Sequence, residues 1–456
     1  MLKINPEIFK AYDIRGVYGV DFDNNLAYLL GRAFVQLRKE ELGNIEGRLQ
    51  IGVAHDMRNS SPGLKESLFR GLTEAGADVI DLGLIATPTF YFAIGHYKYD
   101  GGLMISASHN PKEWNGFKMV RSKSVPISGD TGINKIKELV LINHFLPGED
   151  IGVIKKNDQS LKDSLEHARS TIGEKKIKHF KIVVDTANGM ASTYLSPLFR
   201  ELDVNIITLN FSLNGNFPAH EADPLKEENL EQLKEAVISY EADLGITSDG
   251  DGDRLFFIDN SGKTIDQSII RGLLSSLFLE DKPGAKIGYD VRPGKITRDL
   301  IVENGGVPII TKVGHSLIKE QMIKENIYFA GESSGHFYLN GPNGCFEYPE
   351  IIIIKLLQFF SSEDKSVSEI IQPYMKYYQS GEINRDVLDK EAVFARIRDT
   401  FNNAEISEID GISVNYDDYW FNIRASNTES KMRLNVEAID QDLLKYKIEE
   451  ILALIY

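Results

Sequence analysis

Disulfide crosslinking is excluded at the outset: the 456-residue chain carries a single cysteine, Cys345, so no internal pair can form. A reducing, cytoplasmic setting is the expectation, with Cys345 a spare thiol in preference to a nucleophile. Long apolar runs are missing too. The longest, IIIIKLLQFF from Ile351, is short and broken by Lys355, and LKINPEIFKAYDIRG after Met1 lacks the apolar centre of a signal peptide. Positive charge is in deficit, with 51 Lys and Arg against 67 Asp and Glu, a net charge of -16 that argues against a general nucleic-acid or membrane binder. Small anionic substrates stay open, because a local group of arginines and lysines can reverse the field inside a cleft. No low-complexity segment is present, and 42% hydrophobic with 26% charged residues is the balance of a folded globular chain. The length suggests about three domains.

What is present is repetition. Residues 51–85 read as a strand IGVAHD, an amphipathic helix carrying Leu64, Leu68, Phe69 and Leu72, and a second strand VIDLGLI. The pattern recurs from Lys181 (KIVVD, a helical stretch, VNIITL) and from Lys286 (KIGYD, a helix through Leu300 and Ile301, VPIITKVG). Each first strand ends in an aspartate, Asp56, Asp185 or Asp290, which predicts three related α/β domains. The charged stretch around 148–160 and the turn DNSGK at 259–263 read as boundaries. After about residue 372 the order changes to EAVFARIRDTF, ISVNY, WFNIR, RLNVEAI and a last amphipathic helix, predicting a small α+β domain. The expected division is 1–153, 154–259, 260–372 and 373–456.

The most informative loop is TSDGDGDR at 247–254. Asp249, Asp251 and Asp253 alternate with glycines and are followed by Arg254. A short strand over 242–246 places the loop at a strand's carboxyl end, where ligands collect in open α/β sheets. Gly250 and Gly252 allow the curvature that lets three carboxylates converge. Oxygen-only ligands favour Mg²⁺ or Ca²⁺ over zinc, and an EF-hand is excluded because Arg254 and Asn260 stand at its sixth and twelfth places. A plain acid-glycine surface turn is the competing reading of the loop.

A second loop, MISASHNPKEWNGFKM, puts Ser108 just past a short buried strand. No G-x-S-x-G elbow surrounds it, so a hydrolase triad is not indicated. His109 is its neighbour in sequence, and side chains adjacent in extended chain point apart, making His109 a poor base for Ser108. Phosphoryl transfer needs positioning, a metal and cations more than a triad, so Ser108 can be a phosphoryl acceptor with Lys118 as proton carrier or charge stabiliser. A hydroxyl-capped Asn-Pro turn is the alternative. KVGHS (Gly314, His315, Ser316) and GESSGH (Glu332, Ser334, His336) mix donors and acceptors as hydroxyl-rich ligands require. NIRASNTE gathers Arg424, Ser426, Asn427 and Thr428, a set suited to phosphate.

Taken in order, KAYDIRG, MISASHNP with NGFK, DGDGDR, GESSGH and RASNTE resemble the α-D-phosphohexomutase superfamily, most closely its phosphomannomutase/phosphoglucomutase branch, over essentially the whole chain. The resemblance implies three related α/β (mixed-sheet) domains plus a C-terminal α+β domain around a central cleft. It implies phosphorylation on Ser108, Mg²⁺ held by Asp249, Asp251 and Asp253 with the phosphoserine, and a hexose 1,6-bisphosphate as intermediate and activator. Arg15, His109, Lys118 and Arg254 match positions around the transferred phosphoryl group, with Lys118 the candidate acid/base. Gly314, His315, Glu332, Ser334 and His336 match the sugar-reading loops. Arg424, Ser426, Asn427 and Thr428 match the phosphate clamp, and Tyr12 and Arg292 are further substrate contacts. The implied partner is a small phosphosugar, interconverted between hexose 1- and 6-phosphates of mannose and/or glucose. Phosphoglucosamine mutase is the near alternative; a non-catalytic sugar-phosphate-binding protein and a metal-dependent phosphatase are alternatives of other classes. Ser430 and Lys431 stand where the family often has proline after RxSNTE, and NGPNGCFEYPE departs from the Asp-Asp or Asp-Gly pattern associated with that region of the family. Asn427 separates the hexose from the glucosamine reading, the latter more often showing SGTE. Turnover on mannose 1-phosphate or glucose 1-phosphate is therefore expected to exceed that on glucosamine 1-phosphate, and parallel assays on the three sugars decide it.

Overall fold

A computed structural model describes residues 4–43, 46–145, 150–173, 176–425 and 431–455. The chain forms two compact units: Met1–Ile265 with His315–Lys324 and His336–Val367, and Asp266–Gly314 with Glu325–Gly335 and Ser368–Tyr456.

The three repeats share one parallel core. In each, the first strand lies between the other two: Gln50–His55 between Gly101–Ile105 and Asp78–Leu84, Phe180–Asp185 between Leu244–Ser248 and Val204–Leu209, and Lys286–Asp290 between Phe329–Gly331 and Val307–Thr311. In the first two, a hairpin partner adds antiparallel pairing: Trp114–Arg121 beside Gly101–Ile105, and Leu255–Asp259 beside Leu244–Ser248. The sheets are mixed as expected. Parallel strands covered on both faces read as continuous apolar runs, which is why KIVVD and MISAS carry little alternation.

A core of the first unit joins Leu26, Leu30, Phe34, Leu68 and Leu72 to the sheet residues Ile51, Val53, Leu103 and Ile105. Helices Asn24–Leu42 and Ser61–Glu74 approach closely over it: a Cβ on Gly71 would lie 2.1 Å from the Tyr28 carbonyl oxygen. The run IIIIKLLQFF lies in the buried helix Pro349–Phe360. None of the described helices is long and apolar enough to cross a membrane.

The C-terminal segment has the predicted α+β order, with helices Lys390–Thr400 and Gln441–Ala453 and antiparallel strands Ile412–Asn415, Tyr419–Ala425 and Lys431–Ala438. Phe401, Phe421, Ile423, Leu434 and Ile451 are part of its core. A strand within the charged stretch at 148–160 has only a weak apolar signal in the sequence: Ile154–Lys156 pairs parallel with Asp78–Leu84 and is exposed at all three positions. An edge strand makes its ladder bonds without an apolar face, so periodicity cannot reveal it.

Candidate active site

Two strand-end loops of the first unit meet at Ser108. Ser108 follows the fully buried strand Gly101–Ile105, and the acidic loop follows Leu244–Ser248. Their approach depends on Gly250, where a Cβ would fall 2.5 Å from the Ser108 carbonyl oxygen. Gly252 supplies the left-handed turn at φ +81°. The outcome is a 2.6 Å hydrogen bond from Ser108 Oγ to Asp249 Oδ2 across 141 residues of sequence. Asp249 Oδ1 also accepts from the backbone N–H groups of Asp253 and Arg254, each at 3.2 Å, so the loop is folded around its own first carboxylate.

Asp249, Asp251 and Asp253 are all buried, and one carboxylate oxygen from each falls within 4.8 Å of the others. Lys118, on strand Trp114–Arg121, donates to Asp251 Oδ2 at 2.7 Å and to Asp253 Oδ2 at 2.5 Å. Thr87, at the start of a helix, donates to the same Asp251 oxygen at 2.6 Å. Burial works against the Lys118 charge, but Asp251 and Asp253 outweigh it and hold the pKa well above the usual lysine value. Asp249 shifts upward, through burial and then through repulsion from Asp253 and Asp251. Asp251 Oδ1 and Asp253 Oδ1 are buried and accept no hydrogen bond. Negative charge thus exceeds what Lys118 neutralises, and bare acceptor oxygens face it. A hard divalent cation fits this donor set.

Two arginines stand at the partners of the serine loop. Arg15 donates from Nε to Asp13 Oδ2 at 2.7 Å and from Nη1 to Asn110 Oδ1 at 2.9 Å. Arg254 Nε lies 3.7 Å from Asp249 Oδ2 and donates to His336 Nε2 at 3.2 Å. His109 departs from the sequence expectation. Ser108 is not extended but left-handed, with φ 52°, which swings the two side chains together and leaves His109 Nδ1 3.3 Å from Ser108 Oγ. Burial, then the charges of Arg254 and Arg15, push the His109 pKa well below the usual histidine value, so the ring is neutral.

The stretch NGPNGCFEYPE, without an evident role as sequence, delivers Glu347. On strand Gly344–Glu347 it forms a fully buried ion pair with Lys319 at 2.9 Å. His336 Nδ1 stands 3.4 Å from Glu347 Oε1 and 3.5 Å from Asp253 Oδ1, so Glu347 links the acidic cluster to a second buried lysine. The Lys319 ammonium lies 4.1 Å from the Tyr91 ring centroid. His315 is buried and held neutral, by desolvation first and then by Lys319, and its ring packs 6.0 Å from Tyr12 and 6.2 Å from His336 between centroids. Cys345 is buried with its pKa pushed up to about 12, which removes it as a nucleophile.

The remaining candidates belong to the second unit. Arg292 pairs with Asp290 and donates to Glu332 Oε1 at 3.1 Å, and that same oxygen accepts from Gly314 N at 3.3 Å. Ser334 Oγ is buried and makes no hydrogen bond. Arg424, on strand Tyr419–Ala425, pairs with Glu382 at 2.7 Å. Ser426, Asn427 and Thr428 lie outside the described residues. Asp13, Thr87, Lys319 and Glu347 carry no signal of their own in the sequence, because Asp13 stands two residues from the more conspicuous Arg15 and the partners of Thr87, Lys319 and Glu347 lie 28 or more residues away.

Four family models described as phosphoglucomutase/phosphomannomutase match consecutively: α/β/α domain I at residues 6–145, domain II at 162–262, domain III at 267–378, and the C-terminal domain at 382–454. The chain belongs to this family. It is 38% identical to a phosphomannomutase of Methanocaldococcus jannaschii over 98% of this chain and 97% of that one. Against a phosphomannomutase of Vibrio cholerae the identity is 39%, covering 98% of both. A crystal structure of a phosphoglucomutase/phosphomannomutase family protein from Burkholderia thailandensis superposes with a TM-score of 0.89 at 30% identity, covering 99% of this chain and 97% of that one. The family makes the chain a phosphohexomutase, an intramolecular phosphotransferase. Within this site, Lys319→Met leaves Glu347 buried without its partner and is expected to cost about 3–5 kcal/mol of stability. Urea unfolding of the variant checks this, and an unchanged midpoint would contradict the pairing.

Proposed function

We propose that the chain interconverts the 1- and 6-phosphates of mannose and/or glucose, with the phosphoryl group carried on Ser108 and a hexose 1,6-bisphosphate as intermediate. The observation that carries this reading is the buried contact of Ser108 Oγ with Asp249, with Lys118 on Asp251 and Asp253 beside it. A hydrolytic serine needs an oriented base and an oxyanion site; a phosphoryl-carrying serine needs a cation site and positive charge, and those surround it here.

In the first half-reaction the bond from phosphorus to Ser108 Oγ breaks as a bond forms to the free sugar hydroxyl, whose proton passes to the neutral His109 Nδ1 beside Ser108. In the second, the bisphosphate presents its other phosphate, the bond from that phosphorus to sugar oxygen breaks, and Ser108 Oγ receives the group. The serine's hydrogen is already directed at Asp249 Oδ2, with neutral His109 Nδ1 as a second acceptor. Lys118, held protonated by Asp251 and Asp253, donates at the departing oxygen or offsets its charge. Arg15 and Arg254 face the phosphoryl oxygens. Mg²⁺, held by Asp249, Asp251 and Asp253, would supply Lewis-acid stabilisation of the charge on those oxygens. Gly314, His315, Glu332, Ser334 and His336 read the sugar hydroxyls with Tyr12 and Arg292, and Arg424, Ser426, Asn427 and Thr428 take the distal phosphate. A relative of the same fold, the N-acetylphosphoglucosamine mutase of Aspergillus fumigatus, has been crystallised with GlcNAc-6P and magnesium, at 13% identity and a TM-score of 0.64.

Ser108→Ala is expected to lower mutase turnover by at least about a thousandfold while leaving sugar-phosphate binding within a fewfold. Intact mass before and after incubation with glucose 1,6-bisphosphate should show one phosphoryl group gained by the wild type and none by the variant; unaffected turnover in the variant removes the phosphoserine role. Release of inorganic phosphate in place of isomer would instead favour the phosphatase reading. After chelation, adding Mg²⁺ at about a hundred times its Kd should stabilise the protein by about 2.7 kcal/mol. The same thermal shift in Asp251→Asn would place the ion elsewhere.

A further inference from the structure

We propose that Arg58 is the positioning residue of the Ser108 loop: it sets the backbone on which the phosphoryl-accepting hydroxyl stands, without touching the substrate. The inference rests on the role given to Ser108 above and adds to it a residue that no active-site motif contains.

Arg58 is fully buried, and its guanidinium ends are spent on backbone carbonyls of one loop. Nη2 donates to the Ser108 carbonyl at 2.8 Å and to that of Asn110 at 2.6 Å. Nη1 donates to Pro111 at 2.7 Å and to Trp114 at 2.9 Å. The fork is held from behind by Asp56. Nε lies 3.2 Å from Asp56 Oδ2, while Asp56 Oδ1 accepts from the Arg58 backbone N–H at 3.0 Å and from Ser61 Oγ at 2.7 Å. From the second α/β repeat, the Phe217 ring lies 5.1 Å from the guanidinium carbon. The loop being held is one that needs holding. Ser108 adopts a left-handed backbone, a conformation that costs a non-glycine residue about 1–3 kcal/mol and persists only where the surroundings impose it.

The internal repeat supports the same assignment. Asp56-Met57-Arg58 follows the first strand of the first repeat as Asp290-Val291-Arg292 follows that of the third. Both arginines pair with their own strand-end aspartate and then reach the loop after the neighbouring parallel strand: Arg58 reaches 108–114 beyond Gly101–Ile105, and Arg292 reaches Glu332 beyond Phe329–Gly331. One device thus serves two loops. In the third repeat it addresses a side chain, and in the first it addresses the backbone under the nucleophile.

Lysine at this position keeps the charge opposite Asp56 but cannot span four carbonyls with one nitrogen. For Arg58→Lys, amide hydrogen exchange in 106–114 is expected to speed up at least about tenfold, and kcat to fall about ten- to a hundredfold with KM within about threefold, because a small misplacement of a reacting group costs that much. If Arg58→Lys fails to fold, Phe217→Leu, which removes the ring over the guanidinium, should show the same two changes in smaller size, exchange in 106–114 faster by at least about threefold and kcat lower by about threefold to tenfold. Unchanged exchange in 106–114, or faster exchange with wild-type kcat, overturns the inference. A wild-type protein that takes no phosphate on Ser108 overturns the functional reading, and with it the positioning role; intact mass of the wild type reports that failure separately.

Discussion

Everything in the candidate site depends on bringing a serine carbonyl and an aspartate-rich loop into contact inside the protein. Both loops sit at the carboxyl ends of parallel strands, where a sheet leaves room for ligands. Their separation is set by a missing side chain. A Cβ at residue 250 would fall 2.5 Å from the Ser108 carbonyl oxygen, so any side chain there would force the two loops apart beside the Ser108–Asp249 hydrogen bond. The close approach crowds three carboxylates into a buried volume, and the cations around them follow from that need for neutralisation.

The charged groups are layered. Nearest Ser108 lie Asp249 and the neutral imidazole of His109; beyond them Lys118 joins Asp251 to Asp253; beyond those, His336 leads through Glu347 to Lys319. Burial alone would discharge such groups; pairing keeps Lys118, Asp251, Asp253, Glu347 and Lys319 ionised, while Asp249 and His109 are shifted toward their neutral forms. A dry, preorganised array needs little rearrangement as charge shifts on a phosphoryl group, which is the property transfer chemistry requires.

Much of this was legible in the sequence because it rests on local signals. Three strand-helix-strand units, the DGDGDR loop and the turn-rich serine segment are each marked by residue types whose backbone preferences are strong. The C-terminal order of elements was readable for the same reason. Other features depend on tertiary context. Glu347 and Lys319 find each other across 28 residues, and Thr87 reaches Asp251 across 164. No periodicity reports such pairs. The orientation of His109 is not readable from the sequence, because the extended-chain rule fails where Ser108 turns left-handed under contacts from distant segments. Strand Ile154–Lys156 escaped notice because ladder bonds, not an apolar face, hold it at the sheet margin.

The lone cysteine carries a practical corollary. Cys345 is sealed in the interior and its sulfur keeps its proton at physiological pH, so maleimides and oxidants have nothing to attack in the folded protein. A single sulfhydryl introduced at any exposed position would therefore be the only reactive one. Spectroscopic labels could be attached to this chain without first removing a native thiol.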